Sequence, residues 1–215
     1  MGVYANASSL ASMRDLVGER THDINGDGYV EGSGLPLGTH FLNLNSGLNT
    51  RDNLRQAVTD LMVLRASIGE IAFLDATNVA FVGHGIGASV GVLFLSVARE
   101  LGLSTSPSVL ISPLSGIARS LSASVQLSPL LEAGLLAAGI SKGTPQWDEF
   151  LWGWQTLLDS ADPVNFGQMP LVPTLMMEMA GDGVLGNNGT PCGQPVTRSY
   201  RGARWEVVLW QVGWD

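Results

Sequence analysis

The chain is expected to fold as an α/β domain, a parallel sheet flanked by helices, with a helical segment inserted as a cap. Three observations predict this. Short apolar runs at residues 78–82, 108–111 and 174–179 have strand length and little alternation, as strands covered on both faces do. The first runs at once into Gly83-His84-Gly85-Ile86-Gly87 and then into a helix-length apolar stretch at residues 88–101, the strand–turn–helix unit of a parallel sheet. Between the second and third runs, residues 114–169 are mostly of helical pattern and too long for a simple crossover.

Residues 1–49 are polar and rich in Gly, Asn and Ser, with one apolar run at residues 40–44. Residues 50–68 read as a helix capped by Thr50. Its inner face carries Leu54, Val58 and Leu61, with Ala57 and Leu64, and Ile68 at three- and four-residue spacing. Arg51, Asp52, Arg55, Gln56 and Asp60 form the wet face, and Gly69 stops the helix. Within the inserted segment, Trp147, Phe150, Leu151, Trp154, Leu157 and Leu158 make a broad apolar helix face that Trp152 widens, and Asp159 and Asp162-Pro163 close that helix. Met176, Met177 and Met179 read as core, and residues 205–212 as a fourth strand.

Composition narrows the function classes. The 215 residues suffice for one domain with a real core, or one domain and a small lid. With 45% apolar and 14% charged residues the chain is not intrinsically disordered. A net charge of −8 argues against a nucleic-acid partner, which demands clustered Lys and Arg. The single cysteine, Cys192, excludes an internal disulfide framework and a cysteine-based zinc site, and it reads as an inert thiol. No run of apolar residues is long enough for a transmembrane segment, and no signal peptide is visible at the N-terminus.

The turn at residues 83–87 carries the chemistry. In α/β-hydrolases a G-x-S-x-G turn between strand and helix presents the nucleophilic serine, and close approach of strand and helix calls for the outer glycines. Both outer glycines are present here, but the serine position holds Gly85. The same pattern matches again at residues 87–91, centred on Ser89. That serine falls one turn inside the helix, where its hydroxyl can bond back to the Gly85 carbonyl. It is either an ordinary helix serine or a displaced nucleophile. His84, in the turn itself, is either a residue packed beside or supporting the site, or a catalytic base.

A second motif lies near the N-terminus. Counting Asp23 as the first position of a calcium loop, Asn25 and Asp27 fall at the third and fifth, the Tyr29 carbonyl at the seventh and Glu31 at the ninth. Gly28 supplies the sharp turn and Val30 the apolar eighth position, but Gly34 replaces the bidentate acid at the twelfth. The loop is a weak Ca2+ site or a plain acidic turn. No organic cofactor is expected.

Four stretches resemble the bacterial extracellular, virulence-associated lipases among the α/β-hydrolases: NTRDNLRQAVTDL at residues 49–61, FVGHGIG at 81–87, QTLLDSADPVN at 155–165, and residues 34–44. The resemblance implies a partial α/β-hydrolase sheet formed by residues 1–113 and 170–215, with residues 114–169 as a helical lid whose surface could meet lipid. It implies carboxylic-ester hydrolysis on hydrophobic esters, a secreted or surface-attached protein, the nucleophile position at Gly85, the acid at Asp182 and an oxyanion donor at the Ile86 N–H. The order in this fold is serine, acid, histidine. His22, His40 and His84 all precede Asp182. The expected activity is therefore weak or absent, with a non-catalytic binder of hydrophobic ligands, or a piece of a longer lipase, as the alternative.

Overall fold

The computed structural model describes residues 41–103, 105–166, 172–177 and 184. The chain divides into compact units at residues 1–43 and 44–215, and the second holds all the helices and strands described. Asp23, Asn25, Asp27, Tyr29, Glu31, His22, His40, Asp182, Cys192 and the expected strand at 205–212 lie outside the described residues.

Helix α1 spans Gly47–Ser67. Its cap is Ser46, whose hydroxyl accepts the Asn49 N–H at 3.3 Å, and not Thr50, which is buried in the first turn. The extra turn contains the exposed Leu48 and so escapes the apolar period that marks the rest. Leu54, Val58 and Leu61 are buried as expected, whereas Leu64 is half exposed. Gly69 does not follow the helix end directly; it sits inside a 3-10 turn at Ile68–Glu70.

The sheet of the described residues has three parallel strands in the order β1 (Phe81–His84), β2 (Ser108–Ile111) and β3 (Thr174–Met177). Phe81 stands opposite Ser108, and Ser108 opposite Thr174. β1 starts at Phe81, later than its apolar run, and continues through Gly83 and His84 because these pair with Leu110 and Ile111. Burial is less complete than the apolar runs suggest. Val82 and His84 are exposed, and Met176 and Met177 are only half-buried. Helix α2 (Ile86–Glu100) covers the Phe81 and Gly83 face of β1, with the Phe81 and Phe94 rings 5.6 Å apart. A Cβ on Gly91 would strike the Phe81 ring and Leu110, so α2 lies against the sheet at van der Waals distance there.

The inserted segment forms helices α3 (Ile117–Ala123), α4 (Ser128–Ala137) and α5 (Pro145–Leu158), then 3-10 turns at Asp159–Ala161 and Pro163–Asn165. α5 packs on α1 and α3. Its buried stripe is Trp147, Trp154 and Leu158; Trp152 is 68% exposed and Leu157 45%, so the face is narrower than its composition suggests. Asp162 does not close α5. Fully buried, it accepts the N–H groups of Gly116 at 2.9 Å, Ile117 at 2.7 Å and Val164 at 2.9 Å, and the Gln155 side-chain amide at 2.7 Å. Gln155 in turn accepts the Ala118 N–H at 3.0 Å. The start of α3, which has no side-chain cap of its own, is thus capped from the far end of the segment. No helix of the described residues is long and apolar enough to cross a membrane.

Candidate functional site at the strand ends

Gly85 joins β1 to α2 with φ +56° and ψ −124°, a conformation nearly reserved for glycine. Its N–H donates to the Ile111 carbonyl at 2.8 Å, and its own carbonyl accepts the N–H groups of Ala88 at 3.0 Å and Ser89 at 3.1 Å. A Cβ on Gly83 would lie 2.7 Å from the Gly87 carbonyl oxygen and 2.8 Å from the Ala88 Cα, so this position excludes any side chain. The outer glycines are not equivalent, however. A Cβ on Gly87 would meet nothing within 4 Å, because it points into open space and not at the strand. The turn is therefore a sharp strand–turn–helix connection with no side chain at its apex.

The helix that starts here leaves its first N–H groups without helical acceptors. Those of Ile86 and Gly87 have no acceptor among the described residues, which equips the turn to receive a ligand oxygen. Ser89 is 2% exposed and fully engaged: its hydroxyl donates to the Gly85 carbonyl at 3.2 Å and accepts the Leu114 N–H at 2.7 Å. The back-bond expected of a helix serine is observed, and a long-range bond to the segment leaving β2 accompanies it. His84 is exposed at the end of β1, against the packed reading, because the β1 face opposite α2 is open among the described residues.

Ser112 belongs to none of the motifs in the sequence. It follows β2 directly, at φ +48°, the only non-glycine residue with positive φ among those described. It precedes Pro113, where extended backbone is preferred. Its side chain is buried, with no hydrogen-bond partner for Oγ among the described residues, while its N–H donates to the Met177 carbonyl at 2.7 Å. Left-handed backbone costs about 1–2 kcal/mol, and an unpaired buried hydroxyl about 1–3 kcal/mol. The Ser-Pro pair after an apolar run was the available signal, though it predicts the opposite backbone.

A hollow of about 650 Å³ lies within the helical segment and the start of α1, lined by Leu44, Leu131, Leu135, Phe150, Trp154 and Leu157 among others. Cβ positions on Gly134 and Gly153, which also line it, meet open space.

No protein-family model matches the chain, and neither does any curated protein. Solved structures do. Acetyl xylan esterase 1 from Thermoanaerobacterium sp. JW/SL YS485 superposes with a TM-score of 0.56 and 14% identity, covering 96% of this chain and 62% of that one. An esterase of Pyrobaculum calidifontis superposes with a TM-score of 0.42 and 19% identity, over 74% of this chain and 51% of that one. The chain thus spans 62% of the acetyl xylan esterase's length. The first likeness, with the parallel sheet and its flanking helices, shows the fold alone: these residues have part of an α/β-hydrolase fold.

Proposed function

We propose that the chain is a carboxylic-ester hydrolase homologue of the lipase type that binds hydrophobic esters or their acyl products at the strand ends, with weak or no serine-type turnover. One observation carries this: the turn keeps the backbone of a nucleophile elbow, yet its apex is Gly85. A serine there would attack the ester carbonyl and form an acyl-enzyme, with the Ile86 N–H helping to hold the oxyanion. Glycine retains the donors and loses the attack. Ser89 is a poor substitute, because an attacking hydroxyl must give up both its bond to Gly85 and the one from Leu114. The apolar hollow is lined by the helical segment and the start of α1 and by none of residues 83–87, so it is a separate apolar surface and not the site proposed at the strand ends.

In this reading residues 114–169 act as the lid, Asp182 occupies the acid position, and the loop at Asp23, Asn25, Asp27, Tyr29 and Glu31 is a weak Ca2+ site. Secretion or surface attachment belongs to the same lipase-type proposal. The experiment is a pair of measurements on one preparation. A fluorophosphonate probe should label no serine, while a fluorescent fatty-acid analogue binds saturably. Covalent labelling, or p-nitrophenyl ester hydrolysis that disappears in Ser89→Ala, would contradict the reading.

A further inference from the structure

Among the described residues the buried serines divide sharply. Ser89, Ser96, Ser108, Ser120, Ser124 and Ser128 each spend their hydroxyl on a carbonyl, an N–H or a carboxylate. Ser112 alone leaves a buried Oγ unpartnered. It does so at φ +48°, a conformation that glycine would adopt without strain. Two independent penalties at one residue are the signature of a position retained for something other than stability.

Its place in the sheet says what that could be. β2 is the central strand, and Ser112 is the first residue beyond its carboxyl end. The preceding carbonyl, that of Ile111, takes the Gly85 N–H, and the Ser112 N–H goes to Met177 at the end of β3. Ser112 therefore sits between the vacant elbow and the third strand, at the edge where open parallel sheets take their ligands. The groups offered on the elbow side are donors, the N–H groups of Ile86 and Gly87 at the positive end of a 15-residue helix. An unpartnered hydroxyl at the end of the strand that bonds Gly85, itself next in the chain to those donors, suits a ligand that brings only acceptors.

We infer that Ser112 is a ligand-binding residue whose hydroxyl donates a hydrogen bond to a carboxylate oxygen of an acyl ligand held at the elbow. This rests on the proposed binding of acyl ligands with weak or no turnover. It adds the class of ligand, a free carboxylate and not an ester in transit, and the side chain that selects it.

The test uses octanoate as the carboxylate and the neutral dye N-phenyl-1-naphthylamine as an apolar reference, with the wild-type chain, Ser112→Ala and Ser112→Gly. Wild type should bind both. Both variants should lose about tenfold in octanoate affinity, the worth of one hydrogen bond to a charged group, while binding the dye as before. Ser112→Gly should also melt no lower than wild type, since it relieves the positive φ, so loss of affinity there cannot be loss of folding. Octanoate affinity unchanged in Ser112→Gly would overturn the inference and leave the proposed function standing. Failure of the wild type to bind either probe would overturn both.

Discussion

The turn at residues 83–87 and the inserted helices at 114–165 lie in the same compact unit but are held in opposite ways. The turn is shaped by what its residues lack. Gly83 has no room for a Cβ, Gly85 adopts a backbone that side chains resist, and the contacts between them are main-chain. The helical segment is held by what one residue has: the Asp162 carboxylate gathers three backbone N–H groups and an amide from both ends of the segment. In the first region an added atom does the damage, in the second a removed one. The turn is thus set by main-chain shape, and the helical segment by one buried carboxylate that holds it in one arrangement.

The sharpest way to break this contrast is at Asp162. Asp162→Ala should lower unfolding stability by about 3–5 kcal/mol, because several buried donors lose their acceptor together. Asp162→Asn, which keeps one acceptor oxygen, should cost clearly less in the same denaturant titration. Next comes the glycine pair. Gly83→Ala should destabilise by about 1–3 kcal/mol, since the new methyl meets backbone and not a side chain that could swing away. Gly87→Ala should do the reverse and raise stability by about 0.5–1 kcal/mol, because it fills open space on a helix. Equal effects at the two positions would erase the asymmetry read from the turn.

The smallest effect belongs to the α4–α5 connection. The Lys142 ammonium lies 2.5 Å from Glu132 and also bonds Ser128 at 3.2 Å. Lys142 first, and then the Ser128 hydroxyl, holds the Glu132 carboxyl below its ordinary range. A carboxylate with a lowered folded pKa stabilises above its unfolded value, and that contribution fades as pH falls through the folded one. Acidification through the carboxylate range should therefore lower the melting temperature, slightly more in wild type than in Lys142→Met. The pair is largely solvent-exposed, which keeps the difference small.

What could be read in the sequence was local. β2 begins and ends where its apolar run does, and the strand, turn and helix around Gly85 follow from neighbours a few residues apart. The Ser89 back-bond is likewise a matter of one helical turn. What escaped was made by distant residues. Asp162 resembles a helix terminator until α3 is brought beside it, and the Ser89 bond to Leu114 requires β2 to lie next to α2. Ser112 was the hardest to find. Its positive φ runs against the preference of a residue before proline, and an unpaired hydroxyl has no pattern in a sequence.

The central claim is the proposal that the turn at Gly85 binds an acyl ligand without forming a covalent bond. Its most direct test is intact-mass spectrometry of the chain after prolonged incubation with an excess of a fluorophosphonate, with octanoate binding measured on the same sample. The account predicts an unmodified mass and a saturable octanoate isotherm; a stoichiometric adduct on any serine would contradict it.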